Sequence, residues 1–161
     1  VSALHAYALA FDALELGAGD TLVDLGGGSG YGAAVAAEVV GRSGRVRTIE
    51  LEPMLGRWAA EGLAPYPQVE AVTADAHDTA RWRGAEKVYV AFALAALPDG
   101  WGEALAEGGR LVAPIGPPRG VQTLTLFEKT RGVLATRSLA PVRYVPDRAP
   151  AGERQAAVAE P

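Results

Sequence analysis

The sequence predicts an α/β protein with one doubly wound, mostly parallel sheet of seven strands and a C-terminal antiparallel β-hairpin. Short apolar runs alternate with helical patterns from residue 21 to residue 115, as in successive β-α steps. The first run ends in a glycine-rich turn at 26–30, just before an alanine-rich helical pattern. After residue 120, two extended segments follow each other with no helical pattern between them. Such a pair is typical of an antiparallel edge on a parallel sheet.

Local patterns of apolar residues, glycine and proline predict each element. Residues 3–16 have apolar side chains around most of a helix, and the glycine-rich residues 17–20 end it. The first strand is the apolar run Thr21–Leu25, Gly41 closes the helix after the glycine turn, and Pro53 suits the first turn of a further helix. After the first strand we predict, in order, a helix at Tyr31–Val40, a strand at Arg45–Glu50, a helix at Pro53–Gly62, strands at Val69–Thr73 and 86–92, a helix at 98–107 and a strand at 109–115.

The C-terminal part contains the predicted hairpin and a tail. Residues 121–128 alternate between apolar and polar side chains, and residues 139–145 form a second extended run. Residues 147–161 are rich in alanine, proline and charge, which predicts a flexible tail. The folded domain is therefore expected to span residues 1–146.

Composition narrows the class of protein. A chain of 161 residues has room for one domain with a proper core, and 49% hydrophobic with 21% charged residues is typical of globular proteins. No apolar run reaches the roughly 18 residues of a membrane span, and a net charge of −4 argues against a nucleic-acid partner. The chain has no cysteine, so disulfides and thiolate metal sites are excluded, and we expect a cytoplasmic protein. We also expect it to be a monomer. Because the sequence opens on a helical pattern at Val1, we expect it to begin inside a longer parent.

The glycine turn predicts a nucleoside site. In a doubly wound sheet, ligands bind outside the carboxyl ends of the strands, beside the first strand. Gly26, Gly28 and Gly30 let the backbone approach a ligand there, at the positive end of the next helix dipole. Glu50 ends the second strand and Asp75 follows the third, where carboxylates are placed to accept hydrogen bonds from ribose hydroxyls.

The ligand could be a dinucleotide or S-adenosylmethionine. A dinucleotide turn counted from Gly26 would place Tyr31 where a small residue is needed, and the frame Gly28 to Ala33 begins two residues late. The run that starts at Asp24 instead fits the D/E-x-G-x-G-x-G turn of adenosylmethionine-dependent methyltransferases. Since we expect 161 residues to form one domain without a separate substrate domain, a dehydrogenase is also disfavoured. We therefore predict the cofactor S-adenosylmethionine, a Rossmann-like methyltransferase fold and the cofactor-binding residues Asp24, Gly26, Gly28, Gly30, Tyr31, Glu50, Leu51, Asp75 and Ala76.

Residues 1–146 resemble the protein-L-isoaspartate O-methyltransferase family in four segments. Residues 1–10 are similar to that family's I-S-A-P-H-M-H-A-Y-A, 22–34 to its V-L-E-I-G-T-G-S-G-Y-Q-A-A turn, 108–116 to its G-G-R-L-V-I-P-V-G strand and 142–146 to its V-R-F-V-P. Many methyltransferases share the glycine turn, whereas the first and last segments discriminate between families.

The resemblance implies methyl transfer to the free carboxylate of an isoaspartyl residue in a damaged peptide or protein, the first step of its repair. A carboxylate is ionised at neutral pH, so the displacement needs alignment and no strong general base. By family analogy Ser2 helps to position the acceptor and the cofactor, with His5 nearby. From the residues alone, Ser2 is equally a helix N-cap and His5 a packed or surface histidine.

Departures from the family lie in its substrate-facing segments. The family's proline is Leu4, its second histidine is Tyr7, and its T-A-A-A-P-E-I-P segment becomes A-F-A-L-A-A-L-P at 91–98. A different small-molecule or peptide acceptor, or a non-catalytic cofactor-binding module, therefore stays an alternative. A base methylase is disfavoured because 91–94 has no Asn/Asp-Pro-Pro-Tyr/Phe pattern. We predict no metal site, since His77 and Asp78 are typical of a solvated loop.

Overall fold

The computed structural model describes residues 4–148, which form a seven-stranded sheet in the order β3-β2-β1-β4-β5-β6-β7. Strands β1 to β5 pair in parallel, and β6 and β7 are antiparallel to their neighbours, which confirms the predicted fold class. The elements are α1 (Leu4–Ala13), β1 (Thr21–Leu25), α2 (Tyr31–Val40), β2 (Arg45–Glu50), α3 (Pro53–Gly62), β3 (Val69–Thr73), β4 (Ala85–Val90), α4 (Trp101–Ala104), β5 (Leu105–Ile115), β6 (Gln122–Thr130) and β7 (Val133–Val142).

Successive strand residues point to opposite faces of the sheet, and each face has its own core. Leu22 and Val46 pack with α1, α2 and α3 on one face. Val23 and Ile49 pack on the other face, where Trp82 and other aromatic residues cover the sheet. The connection from β3 to β4 contains only a single 3₁₀ turn, Thr79–Arg81. Helices α2 and α3 therefore cover one face of β1 to β3, with α1 packed against Tyr89 of β4, while a loop covers the other face.

The predicted helix at 98–107 is too long at both ends, because the helix is only Trp101–Ala104. The helix ends at Ala104, and β5 begins at Leu105, which pairs with Ala85. Alanine, leucine and glutamate favour a helix locally, but pairing with β4 outweighs that preference here. Gly108, at φ +76°, lies inside β5 rather than before it.

The second strand of the hairpin is Val133–Val142, earlier than the predicted 139–145. Thr130 pairs with Val133 across a two-residue turn in which Arg131 and Gly132 both have positive φ, 54° and 74°. Two positive values are typical of the type I′ turn that joins tight hairpins. Residues 143–145 consequently lie beyond the end of the sheet. No helix within residues 4–148 is long and apolar enough to cross a membrane.

Candidate functional site

The glycine turn between β1 and α2 is fixed by backbone hydrogen bonds and by close packing. The N–H groups of Gly26 and Gly27 donate to the Ile49 carbonyl oxygen at 2.8 and 3.2 Å. Gly26 has φ +82°, and a Cβ built on it would lie 2.5 Å from the Phe92 ring. A Cβ on Gly28, where φ is +56°, meets nothing within 4 Å. Packing therefore requires glycine at 26, whereas Gly28 faces open space.

Glu50 is bonded directly to this turn. Its Oε2 accepts a hydrogen bond from the Gly28 N–H at 2.8 Å, and its Oε1 accepts one from the Glu52 N–H at 2.9 Å. The two bonds hold the carboxylate at the end of β2 and beside the turn, as its position in the sequence predicted. Each carboxylate oxygen has a further lone pair for another donor.

Asp24 lies beneath the turn. The side chain is 2% exposed and accepts a hydrogen bond from the Thr48 hydroxyl at 2.9 Å. Burial raises the pKa of the Asp24 carboxyl to about 6; the Thr48 bond opposes this shift and the charge of Glu50 adds to it. A Cβ on Gly27 would fall 1.8 Å from the Thr48 hydroxyl oxygen, so this buried pair packs directly against the turn.

The loop after β3 is joined to the same end of the sheet. The Ala74 N–H donates to the Glu50 carbonyl oxygen at 2.9 Å. Asp75 Oδ1 accepts a hydrogen bond from the His77 N–H, and the Ala76 carbonyl oxygen accepts one from the Trp82 indole, both at 2.9 Å. Asp75 and Ala76 are thus held next to the strand that carries Glu50.

A cavity of about 230 Å³ lies between the glycine turn and the segment that follows β7. It is lined by Tyr7, Gly26, Gly27, Gly28, Ser29, Tyr31, Ala91, Arg143, Tyr144 and Val145. Tyr31 and Leu51, both predicted to bind cofactor, are 40% and 36% exposed, and only Tyr31 lines the cavity. His5 is exposed on α1 and does not line it. Ser2 lies outside the described residues.

Aromatic side chains form one wall of this cavity. The Tyr7 ring lies 6.0 Å from that of Tyr31 and 5.6 Å from that of Tyr89. The hydroxyl oxygens of Tyr89 and Tyr144 are 2.6 Å apart. Burial, reinforced by Tyr144, raises the pKa of Tyr89, so this phenol stays protonated.

The segment after β7 is held by hydrogen bonds to residue 93 and by one from the Tyr144 N–H to Gln122 Oε1 at 2.8 Å. The Ala93 N–H donates to the Val145 carbonyl oxygen at 2.8 Å, and the Asp147 N–H donates to the Ala93 carbonyl oxygen at 3.2 Å. His77 Nε2 also lies 2.8 Å from Asp147 Oδ2. Asp147, the first residue of the predicted tail, is therefore bonded to the domain, while residues 149–161 lie outside the described residues.

Sequence reasoning did not identify Arg143 or Tyr144 as site residues. The signal was present in the V-R-Y-V-P run at 142–146, but that run served there only as a mark of family resemblance. The guanidinium of Arg143 is exposed beside the glycine turn and forms no ion pair within the described chain. Residues 4–148 contain no group of three or more side chains able to hold a metal ion.

The comparisons by sequence agree on one family. The family model described as protein-L-isoaspartate(D-aspartate) O-methyltransferase matches residues 1–150. A protein-L-isoaspartate O-methyltransferase of Methanococcus aeolicus is 37% identical over 149 residues, which cover 91% of this chain and 68% of that protein. Protein-L-isoaspartate O-methyltransferase 2 of Archaeoglobus fulgidus is 36% identical over 152 residues, with 92% and 68% covered.

Solved structures show the same fold. A protein-L-isoaspartate O-methyltransferase superimposes with a TM-score of 0.80 at 26% identity, covering 88% of this chain. The match spans 46% of that longer chain, so this chain corresponds to about half of it. A Plasmodium falciparum structure, described as a putative member of the same class in complex with S-adenosyl-L-homocysteine, has a TM-score of 0.73 at 22% identity, with 91% of this chain and 74% of that one covered.

Proposed function

The chain belongs to the protein-L-isoaspartate O-methyltransferase family, and we infer that it methylates the carboxylate of L-isoaspartyl residues in damaged proteins, using S-adenosylmethionine. One observation in particular supports this activity. The glycine turn that lines the cavity is bonded to Glu50, and the exposed Arg143 lines the same cavity. A cationic nucleoside cofactor and an anionic acceptor therefore each have a partner of suitable charge.

The turn fits the cofactor that the family uses. Open space at Gly28 lets a ligand lie against the backbone, and Glu50 has lone pairs for ribose hydroxyls. Asp75 and Ala76 flank that position and are proposed to border the adenine. When bound, adenosylmethionine supplies an electrophilic methyl group on a sulfonium. The aromatic faces of Tyr7 and Tyr31 suit a neighbouring positive charge and exclude water.

Arg143 is proposed to hold the acceptor. Its fork of N–H donors matches a carboxylate in two parallel hydrogen bonds and leaves the second lone pair of each acceptor oxygen available. The acceptor carboxylate is already ionised at neutral pH, so the site needs to align it and does not need to remove a proton. Ser2 and His5 remain candidates for this alignment by family analogy.

Calorimetry and a transfer assay test the proposal in two steps. Adenosylhomocysteine should bind the chain, and Glu50→Gln should weaken binding about tenfold because one charged acceptor is lost. Glu61→Gln on the exposed side of α3 is the matched control. Transfer of labelled methyl to an isoaspartyl peptide, and not to the same peptide with aspartate, completes the test. A chain that binds no adenosylhomocysteine would contradict the cofactor assignment.

A second candidate keeps this chemistry but changes the acceptor. Tyr7 stands where the family has its second histidine, and it lines the cavity. The cavity wall is thus altered where an acceptor would lie, which favours testing other peptide and small-molecule carboxylates. Methylation of these acceptors without isoaspartyl peptides would replace the repair function. Binding of adenosylhomocysteine without any transfer would favour a non-catalytic module.

We further propose that the chain acts in the cytoplasm as a monomer, with no nucleic-acid or membrane partner. The absence of cysteine suits a reducing compartment. The net charge of −4 disfavours binding to nucleic acid or to an anionic membrane surface. Size-exclusion chromatography with light scattering tests the monomer. A mass twice that of the chain would contradict it.

A further inference from the structure

A second concave surface lies at the opposite end of β1 from the glycine turn. We name it the basal groove; its volume is about 410 Å³. It is lined by Thr21, Val23, Arg45, Val46, Arg47, Pro67, Gln68, Val69, Glu70, Ala80, Arg81, Trp82, Arg83, Gly84 and Ala85. None of these residues lines the cavity beside the glycine turn.

The groove exists because of how β3 is connected to β4. Helices α1, α2 and α3 pack on the face of the sheet that carries Leu22 and Val46. On the opposite face, which carries the groove, the connection supplies only the 3₁₀ turn Thr79–Arg81. Trp82 fills the middle of the face and is 3% exposed. The first residues of β1, β2 and β3 are left beneath a loop instead of a helix, and the groove opens there.

Positive charge is concentrated in this groove. Its lining includes one acidic residue, Glu70, and four arginines, Arg45, Arg47, Arg81 and Arg83. Two of these arginines are in ion pairs, Arg47 with Glu70 and Arg81 with Asp78 beside the groove, and the other two are in none within the described chain. The whole chain has a net charge of −4, so the groove differs in sign from the rest of the molecule. A local field of this kind attracts anionic partners.

The guanidinium of Arg47 is held in a fixed orientation. Its Nε donates to Glu70 Oε2 at 2.8 Å, and its Nη1 donates to the Arg81 carbonyl oxygen at 2.9 Å. The side chain is still 44% exposed, and a guanidinium has further N–H donors to offer. Arg45 and Arg83 are exposed and have no acidic partner among the described residues. The groove thus contains one arginine in a fixed orientation, Arg47, and two arginines without an ion pair in the described chain, Arg45 and Arg83.

We propose that the basal groove binds an acidic segment of a polypeptide. Guanidinium forks match carboxylates in geometry as well as charge. The groove also adjoins β3, an edge strand whose outer backbone groups pair with no other strand in the described chain and can bond to an extended peptide. Where the proposed function holds, on which this identification of the partner rests, the segment belongs to the damaged protein, away from the reacting residue.

Fluorescence anisotropy with a labelled glutamate-rich peptide and its glutamine counterpart tests the proposal. The chain should bind the glutamate peptide selectively, and added salt should weaken binding. Arg45→Gln combined with Arg83→Gln should raise the dissociation constant about tenfold, since two exposed charge pairs are lost. Arg47→Gln alone should also weaken binding. Arg137→Gln, on the exposed edge strand β7, is the control and should leave binding unchanged.

Adenosylhomocysteine binding, measured on every variant, shows that each one is folded. Equal binding of both peptides, or no effect of the double variant, would overturn the groove as a docking site. Tighter binding of a single-stranded oligonucleotide at the same arginines would overturn the choice of a peptide partner. If the chain binds the glutamate peptide selectively but does not methylate isoaspartyl peptides, the proposed function is wrong and the proposal that the groove binds an acidic peptide still holds.

Discussion

The two walls of the cavity beside the glycine turn are built in different ways. The wall of the predicted cofactor site consists of backbone at the ends of β1 and β2, where Gly28 and Glu50 are bonded to each other. The facing wall comes from residues 143–145, which have left the sheet and are held by hydrogen bonds to Ala93, Gln122 and Tyr89. The first wall is part of the core sheet, whereas the second is held in place by a few hydrogen bonds. Changes in the first wall should therefore affect folding or cofactor affinity, and changes in the second should affect only the acceptor.

The largest effect is expected from Gly26→Ala. The new Cβ would lie 2.5 Å from the Phe92 ring at a φ of +82°, so crowding adds to an unfavourable backbone conformation. We expect the free energy of unfolding to fall by about 4 kcal/mol, measured by urea denaturation. Gly100→Ala, at φ +81° and ψ −13° with nothing within 4 Å, should cost only about 1 kcal/mol. Equal costs for the two variants would show that Phe92 can move aside.

The next effect concerns the pH dependence of stability through Asp24. Burial raises the pKa of this carboxyl from 3.8 to about 6, so the folded state binds the extra proton between those values, and stability falls as pH rises through them. Asp24→Asn keeps an oxygen for Thr48 and removes the buried charge. At pH 7 the variant should be more stable by about 2 to 3 kcal/mol, with no difference below pH 4. Denaturant unfolding across this range measures it; a constant difference at every pH would exclude the titration.

Gly28→Ala tests whether the open space beside the turn is the place of the cofactor. Gly28 and Gly100 both have positive φ and both lack close neighbours, so alanine should cost similar stability at either position. Only Gly28→Ala should weaken adenosylhomocysteine binding, by about thirtyfold, because its methyl group occupies the space next to the turn. Calorimetry on the two variants makes the comparison. Similar affinities would place the nucleoside elsewhere.

The smallest effect is expected on the acceptor wall. Arg143→Gln should raise the KM for an isoaspartyl peptide about tenfold, because a charged pair with the acceptor carboxylate is lost. The affinity for adenosylhomocysteine should stay within twofold of the parent's, roughly the scatter of neutral surface changes. Steady-state kinetics and calorimetry on one preparation give both numbers. A parallel loss of both affinities would mean that the two walls are not separable.

Sequence patterns located the first wall well because its signals are local. Each of these signals can be recognised from a few neighbouring residues. They are a strand that ends in glycines, a proline at the start of a helix and a carboxylate at the end of a strand. The bounds of α2, β2, α3 and β3 follow from such signals, and so does the meeting of Gly28 with Glu50.

The second wall depends on pairings that no local pattern reveals. The turn at Arg131 and Gly132 sets where β7 begins, and hence which residues pass the end of the sheet. Arginine at a positive φ is an uncommon choice, so the hairpin was predicted too late in the chain. The conversion of residues 105–107 from helix to strand likewise needs β4 as a partner. Arg143 was therefore visible as part of a motif but not as a neighbour of the turn.

The hydrogen bond between Gly28 and Glu50 bears on the entropy of cofactor binding. With the turn already fixed by this bond and by Ile49, a nucleoside has little backbone to immobilise when it arrives. Binding then requires only that the remaining lone pairs of Glu50 accept the ligand's donors, and it requires no folding of a loop. We expect association to be fast and weakly dependent on temperature, so discrimination between donor and spent cofactor has to come from how quickly each one leaves.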